Sequence, residues 1–235
     1  MSSIADQWRE LRDQVAEQGE KLGRRPDSWQ IVAASKYTTA AAVEEAYRAG
    51  CHSFGENRLQ EALEKQKPLS HLPLSWHFIG HLQKNKVAKA IGHFQLFHGI
   101  DSFELAQKMA QVSQERGLVT SLLLQVNLAP EPTKQGFTRQ GLTETFPSLL
   151  ALPSIQLAGL MTMAPIDASQ QELHRLFGSL RLLSEELRRT HGAEQLKELS
   201  MGMSKDWREA LAEGATLLRI GSALFGTASA SWSRD

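Results

Sequence analysis

Cysteine is nearly absent. One residue, Cys51, in a chain of 235 excludes an intrachain disulfide framework and every multi-cysteine zinc or iron–sulfur pattern, and it points to a reducing, cytoplasmic setting. An excess of charge of one sign is also missing, because 26 basic residues balance 26 acidic ones. No overall field then draws the chain onto nucleic acid or an anionic membrane, and any anion it binds has to be held locally. The N-terminus lacks the apolar run of a signal peptide; residues 1–23 read as an amphipathic helix with Ile4, Trp8, Leu11 and Val15 on one face. The long uncharged stretch from Phe146 to Ile166 is broken by Pro147, Pro153 and Pro165 and carries Gln156, so it reads as a helix end, a turn and a buried strand, with no membrane span. Linkers rich in Pro, Gly or Ser, low-complexity tracts and short repeats are lacking too, which predicts one domain over 1–235 with a loose tail at 228–235.

What is present is an alternation. Short apolar runs fall at Ile31–Ser35, His52–Gly55, Leu74–Ile79, Phe94–Ile100, Ser121–Leu128, Ile155–Met161, Glu198–Met201 and Leu217–Ile220. Segments of helical period separate them at Ala40–Ala49, Asn57–Lys67, Asn85–Ile91, Phe103–Arg116, Gly141–Leu150, Gln170–Arg189 and Trp207–Glu213, several closing on Gly50, Gly92, Gly117, Gly192 or Gly214. Eight strands with intervening helices in this length predict an α/β fold, a compact (β/α)8 TIM barrel, with a doubly wound open sheet as the alternative.

In such a barrel the strand C-termini carry the chemistry. Lys36 follows Ile31-Val-Ala-Ala-Ser35 at the end of the first strand. Burial there would lower its pKa and make it a nucleophile for an aldehyde, while from position alone it is equally a lysine reaching solvent. Leu199-Ser-Met-Gly-Met-Ser-Lys-Asp206 after strand seven and Arg219-Ile-Gly-Ser222 at strand eight suit a phosphate, since barrels commonly bind one at those two loops. Taken singly, each is as well explained by turn glycines and cap serines. Asn57, in Phe54-Gly-Glu-Asn-Arg58, offers a donor and an acceptor at the mouth, or else starts a helix. His77 and His81 are separated by Gly80 and do not share a helical face, so a zinc site is not expected. Lys84, Lys86 and Lys89 read as a solvated basic face, with no nucleic acid partner.

These residues, with Ala34-Ser-Lys-Tyr37, His77-Phe-Ile-Gly-His-Leu-Gln-Lys-Asn-Lys86, Val126-Asn-Leu128, Lys134-Gln-Gly136 and Gly159-Leu-Met161, resemble the pyridoxal phosphate homeostasis protein family, also called the YggS or PROSC family, over about Ile31 to Gly226. That family is similar to the N-terminal barrel of alanine racemase, fold type III among pyridoxal phosphate proteins. The resemblance implies pyridoxal 5'-phosphate as cofactor, with Lys36 forming the Schiff base. Ser200, with Met201 and Gly202 beside it, and the Gly221–Ser222 turn would hold the phosphate. Arg219 would face the pyridine nitrogen, Asn57 would lie beside the ring, and His77 would stand behind it.

A permanent cation at the ring nitrogen favours the unprotonated pyridine and weakens the ring as an electron sink. Strand alternation would turn Tyr37 to the face opposite Lys36, so no second base is expected there. The resemblance then implies a carrier that maintains intracellular cofactor levels and, as a further role, hands the cofactor to pyridoxal-phosphate-dependent apoenzymes, with no catalytic turnover and as a monomer. The alternatives are an amino-acid racemase and a regulatory interaction protein that responds to the cofactor.

Overall fold

Strand and helix alternate as the periodicity predicts, and the strands close on themselves. A computed structural model describes residues 3–129 and 135–226; the tail at 228–235 and Lys134 of the Lys134-Gln-Gly136 motif lie outside the described residues. Eight parallel strands, β1 (Gln30–Ala34), β2 (Ser53–Glu56), β3 (Ser75–His81), β4 (Leu96–Ile100), β5 (Thr120–Gln125), β6 (Ile155–Met161), β7 (Glu198–Ser200) and β8 (Leu217–Ile220), form a closed barrel in chain order. The seam pairs β8 with β1, Leu217 opposite Gln30 and Arg219 opposite Val32. The fold is therefore the (β/α)8 barrel, and the open-sheet alternative falls.

The helices are α1 (Ile4–Lys21), α2 (Ala40–Arg48), α3 (Leu59–Gln66), α4 (Val87–Ala90), α5 (Phe103–Glu115), α6 (Arg139–Leu150), α7 (Gln170–His191), α8 (Trp207–Ala212) and α9 (Ser222–Phe225). Their starts are chemically marked: Ser3, Thr39, Ser102, Thr138 and Ser169 each accept a backbone N–H of the first turn, and Ser169 with Glu172 completes a capping box. Their ends follow the predicted glycines, since Gly50, Gly92, Gly117, Gly192 and Gly214 all have positive φ. The one-turn α9 is too short to leave a periodic trace and was not expected. Among the described residues no helix is long and apolar enough to cross a membrane.

Two apolar regions result. Outward-facing strand residues such as Ile31, Phe54, Phe78, Phe97, Leu122 and Leu218 pack against the helices in the main core, which also takes Trp8, Leu11 and Val15 of α1. Inside the barrel a separate small cluster of Val32, Leu96, Leu123, Met161 and Leu217 fills part of the space. The rest of the interior is polar, with Ser53, His77, His98, Ser200 and Arg219 all buried.

The connection from α1 into β1 is fastened by Arg24. Its guanidinium donates to the carbonyl oxygens of Leu211 at 2.9 Å, Ala215 at 2.8 Å and Ser28 at 2.7 Å, joining the N-terminal segment to the α8–β8 loop. Arg24→Ala should therefore destabilise the fold by roughly 1–3 kcal/mol, read as a lower urea midpoint. Arg24→Lys should recover less than half of the loss, because one ammonium cannot serve three carbonyls in a planar fork.

Candidate functional site at the barrel mouth

The strand β1 delivers its chain to the mouth beside a buried ion pair. Ser35 donates its backbone N–H to Gly55 at 2.9 Å and its hydroxyl to Glu56 at 2.6 Å. Lys65 of α3 donates to the same Glu56 carboxylate at 2.6 Å and to the Ser35 carbonyl at 2.7 Å. The Glu56 side chain is 0% exposed and that of Lys65 9%. The backbone is thus clamped one residue before Lys36.

Lys36 itself differs from the expectation of burial. The strand ends at Ala34, and Lys36 is exposed in the turn that follows. Tyr37 also differs. It has left the strand, so alternation no longer governs it; its φ of 64° turns the chain back, and the centre of its ring lies 6.0 Å from the Lys36 ammonium and 5.6 Å from the Arg58 guanidinium. A left-handed conformation costs an L side chain roughly 1–2 kcal/mol, and at a site this is strain that the surrounding structure has to hold.

Asn57 follows β2 as expected, half-buried, and its Oδ1 is buried without a hydrogen-bond partner. An orphaned acceptor costs about 1–3 kcal/mol unless a ligand supplies the donor.

Arg219 is the most constrained of the predicted residues. Its side chain reaches from β8 across to the ends of β6 and β7, donating to the Thr162 carbonyl at 2.9 Å and to Ser200 Oγ at 2.5 Å. Burial pulls its pKa down to about 10, which leaves it a cation at neutral pH, and the Asp206 carboxylate opposes that shift. Both bonded acceptors are neutral, so the charge is not cancelled by a hydrogen-bonded carboxylate. Ser200 is fully buried, and its hydroxyl also meets His98 Nδ1 at 2.8 Å. Both partners of the hydroxyl expected to hold the phosphate therefore lie inside the barrel. His77, third residue of β3, is buried; it bonds to His98 at 2.9 Å and reaches Ser200 through that ring alone. His98 went unnoticed in the sequence, although Leu96-Phe-His-Gly-Ile100 reads as a strand on which His98 shares the inward face with Leu96.

Loops seven and eight meet here. Met201 is fully buried, and Gly202 takes a φ of 88° while its carbonyl accepts the Arg219 N–H at 2.9 Å. A Cβ at Gly202 would meet Ala210 at 2.6 Å, and one at Gly221 would meet the Ala34 carbonyl at 2.8 Å, so both positions are closed to larger residues. Ser222 opens α9 and is exposed. Ser204, overlooked as a site residue although it stands in the Ser200–Ser204 run, accepts the Ala223 N–H at 3.4 Å and ties the two loops together. Asp206 accepts the Met203 N–H, and burial pushes its carboxyl above the usual range. A wide cleft of about 1040 Å³ opens beside the mouth between Leu128, Met163, Ile166, Leu176 and Met203, and it includes none of Lys36, Asn57 or Arg219. The expected residues therefore gather at one mouth, with His77 deeper.

Comparison with known proteins gives a consistent set. The family model described as "Alanine racemase, N-terminal domain" matches residues 3–229. The chain is 40% identical over 226 residues to the pyridoxal phosphate homeostasis protein of Pseudomonas aeruginosa, covering 96% of each chain. It is 38% identical to the protein of that name from Synechocystis, covering 88% of this chain and 95% of the relative. The structure of PipY from Synechococcus elongatus with pyridoxal phosphate bound superposes with a TM-score of 0.87 at 42% identity, covering 95% of this chain and all of that one.

Two outcomes follow from the buried groups. Lys65→Met strands the Glu56 carboxylate inside the protein and should cost about 3–5 kcal/mol, whereas adding Glu56→Leu should return much of it; matched denaturant midpoints for single and double mutants measure this. Burial also holds His77 down at about 4 from 6.5, and His98 well below the ordinary value. Between those limits the unfolded chain binds protons that the folded one refuses, so stability is complete above about pH 6.5 and falls as the pH drops toward 4. Each pH unit in that window should cost up to about 1.4 kcal/mol per histidine. Urea midpoints from pH 7 to about pH 4.5 should decline, and less steeply in His77→Gln.

Proposed function

The chain belongs to the pyridoxal phosphate homeostasis protein family, and from that premise we propose that it binds pyridoxal 5'-phosphate at the barrel mouth and holds it in reserve without turning a substrate over. The observation that carries the reading is Arg219, a buried cation bonded to neutral acceptors alone at the layer of the mouth. Such a charge is costly unless a ligand places an acceptor against it. The orphaned Asn57 Oδ1 and the two glycines that bring backbone close support the same reading.

When bound, pyridoxal phosphate supplies an aldehyde that condenses with an amine and a ring that withdraws electrons. On this reading Lys36 would supply the amine that condenses with the aldehyde, with water leaving, and Asn57 would lie beside the ring. Gly202, Gly221, Ser222 and Ser204 hold the phosphate, with Met201 closing the site from below. Arg219 only donates. Set against the ring nitrogen, it leaves that nitrogen without a proton, which suits storage and works against withdrawal of an α-proton. Delivery to apoenzymes, a cytoplasmic location and a monomeric state belong to the same proposal. Cys51 is compatible with such a compartment, since burial pushes its thiol up to about 12 and keeps it inert.

Tyr37 favours a second reading, slow racemisation of amino acids, because its ring stands within 6.0 Å of the Lys36 ammonium and not on the opposite face. Arg219 opposes it.

Purified protein incubated with the cofactor should turn yellow, and borohydride should bleach the colour and fix one cofactor to Lys36 by peptide mass spectrometry. Lys36→Ala should lose both. An adduct on another lysine would overturn the assignment, and alanine racemisation by loaded wild type at about 1 per second or more would replace storage by catalysis.

A further inference from the structure

Five side-chain hydrogen bonds run through the barrel from the mouth to its opposite end. Arg219 Nη1 reaches Ser200 Oγ at 2.5 Å, Ser200 Oγ reaches His98 Nδ1 at 2.8 Å, and His98 Nε2 reaches His77 Nδ1 at 2.9 Å. His77 Nε2 then reaches Ser75 Oγ at 3.1 Å, and Ser75 Oγ reaches Gln95 Oε1. Ser75, His77 and Gln95 line a polar cavity of about 380 Å³ at the N-terminal end of the strands, together with Gln30, Ser53 and Glu198. The inner cluster of Val32, Leu96, Leu123, Met161 and Leu217 fills apolar space in the same interior.

The Arg219 end sets the direction of this line. A guanidinium has no acceptor, so Arg219 can only give a proton to Ser200. The Ser200 O–H, buried, finds its acceptor in His98 Nδ1. His98, with one ring proton when neutral, must then carry it on Nε2 and give it to His77 Nδ1. His77 in turn gives its Nε2 proton to Ser75, whose hydroxyl goes to the carbonyl oxygen of Gln95. In the reverse direction Ser200 would receive from both sides, and its own buried proton would have no acceptor among the described residues inside the barrel.

We propose that His98, acting through Ser200, is the positioning residue for Arg219, and that the line from Arg219 to Gln95 is one-directional, with His98 and His77 both in the Nε2–H tautomer. What the guanidinium is positioned for rests on the cofactor reading above; the direction of the line does not. Two consequences follow. The Ser200 proton is spent inward, so Ser200 cannot donate to a phosphate, and that task falls to Ser204, Ser222 and backbone N–H groups. Arg219 is kept from turning by the Thr162 carbonyl just beyond β6 and by Ser200 on β7, and it remains a donor for a ligand at the mouth. The charged neighbours at the two ends are Asp206, whose carboxylate acts on Arg219, and Glu198, which shares the lower cavity with His77.

The test begins without cofactor, on the full chain carrying nitrogen-15 histidine. Two-bond proton–nitrogen spectra should give both His77 and His98 as neutral Nε2–H rings, unchanged from about pH 6 to pH 9. An Nδ1–H ring or an imidazolium at either position overturns the direction. Arg219→Met removes the donor that sets it, and the single-tautomer pattern should give way to a mixture; an unaltered pattern means that Arg219 does not direct the line. Retention of pyridoxal phosphate then tests the positioning. His98→Leu should weaken it about 3- to 10-fold, one neutral hydrogen bond's worth, and His98→Asn, whose side-chain oxygen can stand where Nδ1 stood, should restore most of it. Equal retention by wild type and the Leu variant overturns the role of His98, and should the Leu variant not fold, failure of the Asn variant to retain cofactor better than Ser200→Ala does so. Wild type that shows the tautomers but binds no cofactor refutes the cofactor reading and leaves the line standing; wild type that binds cofactor with an Nδ1–H ring does the opposite.

Discussion

A positive charge buried inside a barrel is the constraint around which the rest of the molecule is arranged. Arg219 enters from β8, and its guanidinium cannot accept a hydrogen bond, so every group around it has to present an acceptor. Thr162 does so with a backbone carbonyl just beyond β6, and Ser200 does so with its hydroxyl at the end of β7. Three strands that are sequential in the barrel are thereby held in one relation at their C-terminal ends. The register of β7 and β8 is sparse, resting on the pairing of Ser200 with Leu217, and the guanidinium supplies a cross-link where the backbone ladder is thin.

The same charge explains why a barrel of this size has a polar interior. A wholly apolar filling would leave Arg219 uncompensated at a cost of several kcal/mol. The interior is instead divided, with Val32, Leu96, Leu123, Met161 and Leu217 forming the apolar part and the serine and histidine side chains the other. The histidines suit this place because a neutral imidazole both accepts and donates in its plane, which lets it pass a hydrogen bond onward without adding charge. A lysine or a carboxylate at either position would add a second buried charge.

Much of the architecture is legible in the sequence because it depends on local chemistry. Runs such as Ile155–Met161 and Leu217–Ile220 coincide with observed strands residue for residue, and others shift by one to three, since apolar periodicity and positive-φ glycines mark both kinds of element. The positions of Lys36, Asn57, Arg219 and Gly221 at or just beyond the C-terminal ends of β1, β2 and β8 are likewise legible. What escapes is tertiary. The strand ends at Ala34 because Ser35 is drawn onto Glu56 and Lys65, two charges that look like ordinary surface residues in the sequence, and this releases Lys36 and Tyr37 into an exposed turn. The inward partner of Ser200 escapes too, because its motif says nothing of a histidine on β4, 102 residues earlier, that bonds to its hydroxyl.

The mouth therefore sets unlike parts side by side. Arg219 is fixed by several strands, whereas Lys36 stands on an exposed turn whose anchor lies one residue upstream. A protein that stores a reactive aldehyde has two tasks that conflict: it must orient the ligand well enough to retain it, and it must leave the covalent link open to exchange. A buried lysine would satisfy the first at the expense of the second, because an incoming amine could not approach the linked carbon. On the proposed reading, fixed donors inside the barrel combined with an accessible amine at its rim would reconcile the two, since retention would come from groups that do not react and exchange would occur at the one that does. The fixed guanidinium and the exposed lysine would then be complementary halves of one design, with the buried Glu56–Lys65 pair clamping the chain one residue before Lys36.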